Sequence, residues 1–301
     1  MRHRLGPKVV TCAGSSPHAG PDGKECVVTE SWALSVPDAA AIARLDTGVP
    51  HIARVYDYCL GGKDNFAADR AAADEFVKIM PGILPAVREA RAFLIRVVRF
   101  LAGEAGIRQF LDIGTGLPTA NNTHEVAQQA APDSRIVYVD NDPLVLAHAR
   151  ALLTSSPEGK TAYLDADLRD PGKILDAAAG TLDFTRPVAV MLVGVLHCIP
   201  DAGDPWGITR QLMAAMPPGS YLVVGHPASD VQVQEAAQAT AGLNTKLAAP
   251  VTFRPRDQIA GFLDGLRILE PGVVQYPQWR PGADAAPAQP IPAWCAVARK
   301  D

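Results

Sequence analysis

The chemistry legible in this chain rests on four acids, two glycines and two histidines. Asp112, Asp140, Asp165 and Asp167 each stand at or just past the end of a short apolar run, and Gly114 and Gly116 follow Asp112 in the stretch QFLDIGTGLP. Glycine lacks a Cβ, so the backbone at such a corner can take positive φ and a ligand can lie against it. An acid directly before the corner suits a ligand carrying an amine or hydroxyls and would repel a pyrophosphate. Asp140, 24 positions past Gly116, ends a second apolar run, where a carboxylate can accept from both hydroxyls of a ribose with Asn141 beside it. The other role open to Asp140 is structural, and Asp142 is placed to cap a helix opening at Pro143. Asp167 can accept from an adenine amino group while Leu168 packs on the ring; Asp165 is the alternative acceptor. His197 could deprotonate an incoming hydroxyl or amine, because imidazole titrates near neutral pH, or it could simply hydrogen-bond its own loop. His226 is a second candidate base. Cys198 reads as a packed small hydrophobe.

A glycine corner works only where a strand delivers it, and the surrounding pattern supplies strands in alternation with helices. Gln109–Ile113, Arg135–Asp140, Lys160–Leu164, Val188–Val195 and Ser220–Gly225 are apolar runs of strand length. Helical patterns lie between them at Thr119–Ala131, Pro143–Thr154, Pro171–Ala179 and Trp206–Met216. Strands that are apolar throughout and alternate with helices form a parallel sheet covered on both faces. The ligand then sits at the carboxyl ends of the strands. After Pro227 the sequence predicts helices over Asp230–Ala241 and Arg256–Leu263, short strands at Leu266–Leu269, Val273–Tyr276 and Trp294–Ala298, and a loop at Pro281–Pro292.

Upstream, Phe66–Ile79 and Val87–Leu101 read as helices. In the second, Val87, Ala90, Phe93, Leu94, Val97, Val98 and Leu101 make one apolar face, while Arg88, Arg91, Arg96 and Arg99 fall on the other and read as solvated. Aromatic, charged and amide side chains crowd around Gly61-Gly62 in the stretch Tyr56–Phe66, a density that suits a lid over a ligand; the alternative is a capped helix start. Residues 1–45 are rich in Gly, Pro, Ser and His and are expected to form a flexible extension. The expected domain is 46–301, with its helical lid over 50–103.

The chain has 301 residues, is 48% hydrophobic and carries a net charge of −4, so the expected partner is a small molecule rather than nucleic acid or an anionic membrane. No apolar run reaches the ~20 residues of a membrane span. Five scattered cysteines without CxxC spacing read as reduced thiols in a cytoplasmic protein, and no His/Cys/acid spacing suits a metal. NAD fits less well than a mononucleoside, because the third glycine of a dinucleotide loop would fall at Thr119, behind Pro118.

The motifs DIGTGLP, YVDNDP, DADLRDP and MLVGVLHCIPD resemble those of class I S-adenosylmethionine-dependent methyltransferases. More narrowly, PHIARVYDYCLGGKDNFAADR with PGVVQYPQWRP resembles an actinobacterial methyltransferase family first catalogued as a domain of unknown function. The resemblance runs from about His51 to the C-terminus. It implies an α/β, doubly wound, mostly parallel seven-stranded sheet of Rossmann-like methyltransferase type, with an N-terminal helical lid. It implies S-adenosylmethionine as cofactor, with Asp112, Gly114 and Gly116 around the methionine part, Asp140 on the ribose, Asp167 with Leu168 at the adenine, and Asn141 as a further cofactor contact. Tyr56, Lys63, Asp64, Asn65 and Phe66 would border the site from the N-terminal side, and Val195 and His197 would face the sulfonium. Transfer in line from sulfur to a small-molecule acceptor needs alignment and exclusion of water rather than a covalent residue. A protein that binds the cofactor as a sensor without turnover is the competing expectation, and neither the acceptor nor the oligomeric state is specified by the sequence.

Overall fold

Successive residues of a strand point to opposite faces of a sheet, and in this chain both faces are apolar. In β1 (Gln109–Ile113), Phe110 packs on one side and Leu111 and Ile113 on the other. β2 (Arg135–Asp140) divides likewise, with Ile136 and Tyr138 opposite Val137 and Val139. Such strands need cover on both sides. The computed structural model, which describes residues 45–152, 155–282 and 289–301, shows how the chain provides it. Residues 1–44 of the expected N-terminal extension and the middle of the expected Pro281–Pro292 loop lie outside the described residues.

One face is covered by α1 (Ile52–Cys59), α2 (Ala67–Ile79), α3 (Ile83–Arg99), α4 (Thr123–Ala130) and, after β5 (Tyr221–Pro227), α8 (Val233–Asn244). α5 (Pro143–Leu152) and β3 (Lys160–Asp165) follow β2. The other face is covered by α6 (Pro171–Ala178), by α7 (Pro205–Ala214), which follows β4 (Ala189–Val193), and by α9 (Arg256–Ala260). Seven strands form one sheet in the order β3-β2-β1-β4-β5-β7-β6, with β6 at Arg267–Ile268 and β7 at Ala293–Arg299. β1 to β5 are parallel, and β7 runs antiparallel to both β5 and β6. Strand order reverses between β1 and β4, so the connections at their carboxyl ends part and leave a crevice there.

Two expectations shift. The helix after the glycine corner opens at Thr123 rather than Thr119, because Pro118 and the left-handed Asn121 (φ 61°) precede a cap in which Glu125 Oε2 accepts from Asn122 N at 2.8 Å. Val273–Tyr276 makes a single bridge, Val274 to Cys295, and then a 3-10 turn over Tyr276–Gln278, since Pro277 has no N–H to continue a ladder. The segment around Gly61-Gly62, read from the sequence as a lid or a capped helix start, is held by local hydrogen bonds. Asp57 Oδ2 accepts from Asp64 N (3.1 Å) and Asn65 Nδ2 (2.9 Å), and α2 is capped at Phe66, whose N donates to Asp69 Oδ2 at 2.8 Å.

Buried Asp69 also accepts from His51 N (2.9 Å) and Arg54 Nε (3.2 Å), while His51 Nδ1 lies 2.9 Å from Asp142 Oδ2 at the end of β2. α1 is thereby fastened beside the strand end that carries Asp140. The three N-terminal helices form a roof over the carboxyl edge of the sheet.

Candidate active site

Beneath that roof lies a cavity of about 380 Å³, and its two ends differ in chemistry. The polar end is built by the sheet edge. The glycine corner turns at Gly114 (φ +73°) and Gly116 (φ +64°). A Cβ on Gly114 would stand 2.3 Å from the Val195 side chain, so the corner can pack against the loop after β4 only as glycine. A Cβ on Gly116 would meet nothing within 4 Å, because that position borders the open cavity.

Asp140 lies against the same space. Its Oδ2 accepts from Gly116 N at 3.0 Å and its Oδ1 from Asp142 N at 2.9 Å, which fixes the carboxylate while leaving lone pairs for a ligand. Burial pushes its pKa up, and the two backbone N–H groups pull it back in part. Asn141, Asp167 and Leu168 continue the lining, with Asn141 Nδ2 donating to Asp167 Oδ2 at 3.2 Å. Asp165 is exposed. Asp142 Oδ1 accepts from Leu144 N at 2.8 Å, the expected capping role.

Asp112 borders a small hollow beside the corner. It is buried, accepts from Thr123 Oγ1 at 2.6 Å and has a pKa raised to about 6, chiefly by desolvation. Arg91 of α3 lines the same hollow. An acid and a guanidinium face one space there, a pairing that matches an amino-acid zwitterion. The helical period had put Arg91 on a solvated face, and its approach to the β1 end appears only when α3 is docked on the sheet.

His197 sits in the 3-10 turn Leu196–Cys198 and lines the cavity; its carbonyl accepts from Thr252 N at 2.8 Å. Burial and the nearby Arg254 hold its pKa down to about 4, so the imidazole is neutral at physiological pH, and its Nδ1 has no hydrogen-bond partner among the described residues. His226 is placed differently. Its Nδ1 lies 2.8 Å from Pro227 O and its Nε2 3.0 Å from Arg254 Nη1, so both nitrogens are engaged, and it is not among the residues lining the cavity. Burial and the neighbouring His197 and Arg254 hold it neutral.

Arg254, fully buried and not singled out by any sequence pattern, ties this region together. It donates to Leu196 O (3.1 Å), Ile199 O (2.7 Å) and Asp201 Oδ1 (2.7 Å), and lies over the rings of Trp206 and Phe262 at 5.1 and 5.7 Å. Arg169 spans from Asp167 Oδ2 (2.9 Å) to Cys198 O (3.2 Å), joining the β3 edge to the His197 turn.

Of the N-terminal residues, Tyr56 lines the cavity. Lys63 is exposed, Asn65 is turned toward Asp57, and the Phe66 ring lies 5.4 Å from the Arg54 guanidinium; none of these three lines the cavity. The opposite end of the cavity is apolar, walled by α1 to α3, by α8 with the segment after it, and by Tyr276.

A doubly wound sheet with a glycine corner after β1 and a carboxylate ending β2 defines a nucleoside-binding α/β protein of the methyltransferase type. Residues 38–301 match the S-adenosyl methyltransferase family, and the chain belongs to it: it is an S-adenosylmethionine-dependent methyltransferase. It is 44% identical to a DUF574 family protein from Streptomyces avermitilis MA-4680, with a TM-score of 0.82 over 86% of this chain and 100% of that one. It is also 44% identical to a candidate methyltransferase from Thermobifida fusca YX, with a TM-score of 0.77 over 85% of this chain and 96% of that one. No curated protein gives a significant match. Among the described residues no helix is long and apolar enough to cross a membrane.

Proposed function

We propose that the polar end of the cavity holds S-adenosylmethionine, that the apolar end holds a small-molecule acceptor, and that a domain over residues 46–301 carries the reaction. Asp140 receives the ribose hydroxyls, Asn141 and Asp167 the adenine edge, and Leu168 its face. Asp112 takes the methionine ammonium and Arg91 its carboxylate, while Gly114 and Gly116 let the backbone approach. When bound, the cofactor supplies a methyl group made electrophilic by a sulfonium. The chain's own work is alignment and exclusion of water. Val195 and the His197 turn, held by Arg254 and Arg169, border the junction of the two ends, and the roof of α1 to α3 keeps it dry. His226 enters as a positioning residue through Arg254.

The observation that carries this reading is the Asp140 carboxylate, fixed by Gly116 N at 3.0 Å and open to the cavity. Isothermal calorimetry with S-adenosylmethionine and, separately, with NAD tests it. Micromolar binding of the first and none of the second is expected; the reverse order would overturn it.

A further inference from the structure

The apolar end of the cavity is defined as much by what its walls lack as by what they contain. Val55, Phe76, Val87, Leu243, Phe253 and Tyr276 come from distant parts of the chain to form it, and among the described residues no Asp, Glu, Lys or Arg joins them there. The acids and the one arginine that line the cavity, Asp140, Asp167 and Arg169, stand at the cofactor end. Titratable groups at the apolar end are held neutral. Burial raises the Tyr56 hydroxyl to about 12 and the Cys59 thiol to about 11, and pushes Tyr276 well above its ordinary range. Tyr56 Oη is already spent on Val87 O at 3.2 Å.

An ionised acceptor entering this chamber would lose its hydration and meet no counter-charge. A flat uncharged one would meet rings: Phe76 and Phe253 stand edge to face, 6.3 Å between centroids. Among the polar side chains that line the cavity is the neutral imidazole of His197, in the turn after β4.

We infer that the acceptor is an uncharged aromatic hydroxyl compound, bound among the rings of the apolar chamber with its hydroxyl toward His197 and methylated on oxygen. The inference rests on the cofactor assignment above and adds the acceptor class. In the transfer, a lone pair of the hydroxyl oxygen forms the O–CH3 bond and the S–CH3 bonding pair stays on sulfur. The hydroxyl proton passes to the unprotonated nitrogen of His197 and from there to solvent. The products are an aryl methyl ether, S-adenosylhomocysteine and a proton. Because burial depresses the basicity of His197, the proton leaves only as the O–CH3 bond forms and acidifies the oxygen, on condition that the free hydroxyl is already acidic enough to keep that gap small. A phenol, near 10, meets that condition far better than an aliphatic hydroxyl, which ionises in the range of bulk water near 15.7.

The probes are naphthol, hydroxynaphthoate, naphthylamine and cyclohexanol, used with the full chain. Calorimetry should show naphthol binding the free protein, and the protein saturated with S-adenosylhomocysteine, about thirtyfold or more tighter than hydroxynaphthoate. With S-adenosylmethionine present, mass spectrometry should detect methoxynaphthalene and little product from naphthylamine or cyclohexanol. His197→Gln should lower kcat about a hundredfold with KM nearly unchanged. Equal binding of hydroxynaphthoate, methylation of the amine in preference to the hydroxyl, or an unimpaired His197→Gln variant would each overturn the inference. Cofactor affinity is measured separately, so failure at that end is distinguishable: naphthol binding to the free protein reads the chamber alone.

Discussion

Replacing Asp112 by asparagine should stabilise the free protein and weaken its hold on the cofactor. Asp112 is 6% exposed, and its carboxyl is moved from 3.8 to about 6 because desolvation outweighs the help of the Thr123 hydroxyl and Arg91, with Asp140 adding repulsion. Between those two values the native chain keeps a proton that the unfolded chain has released. Stability therefore falls as pH rises from about 4 to about 6 and stays reduced above that. About two pH units at about 1.4 kcal/mol each amount to ~3 kcal/mol. Asparagine keeps an oxygen for Thr123 Oγ1 and has no charge to desolvate. Wild type and Asp112→Asn should thus match near pH 4, and the variant should be more stable by ~2–3 kcal/mol at pH 7, roughly 5–10 °C in Tm. Its affinity for S-adenosylmethionine should drop ~10–150-fold, since a hydrogen bond to a charged partner is worth about 1.5–3 kcal/mol. Chemical denaturation across pH, with calorimetric titration at pH 7, reads both effects. A variant no more stable than wild type at pH 7, or one that binds the cofactor equally well, would refute the reasoning.

Two further substitutions test neighbouring parts of the site. Asp140→Ala removes the ribose acceptor and the anchor of Gly116 N, so calorimetry should show cofactor binding weakened by ~2–3 kcal/mol, and wild-type affinity would contradict the ribose assignment. Arg254→Met leaves the carbonyls of Leu196 and Ile199 without their donor and should cost about 3 kcal/mol in urea denaturation; a loss under about 1 kcal/mol would show that the His197 turn holds its shape without it.

What the sequence determined by itself was the set of features whose signal is local. An apolar run ending in DIGTGLP marks a strand and its corner because period and glycine placement are properties of neighbouring residues. The alternation of strand and helix marked a mostly parallel sheet for the same reason. Tertiary structure decided whatever depends on which distant segments meet. Arg91 has the period of a solvated face and reaches the Asp112 hollow only because α3 packs beside α4, where Arg91 donates to the carbonyls of Ala120 and Asn121. Lys63, Asn65 and Phe66 stand beside the lining residue Tyr56 in sequence, yet Asp57 and Asp69 draw their turn back from the cavity. His226 and His197 look alike at strand ends, but Arg254, 28 residues beyond His226, engages one ring and leaves the other facing the cavity. The apolar chamber joins α1, α2, α3, α8 and Tyr276. No window of sequence contains it, because burial of a shared face is a property of packed helices and not of any one of them.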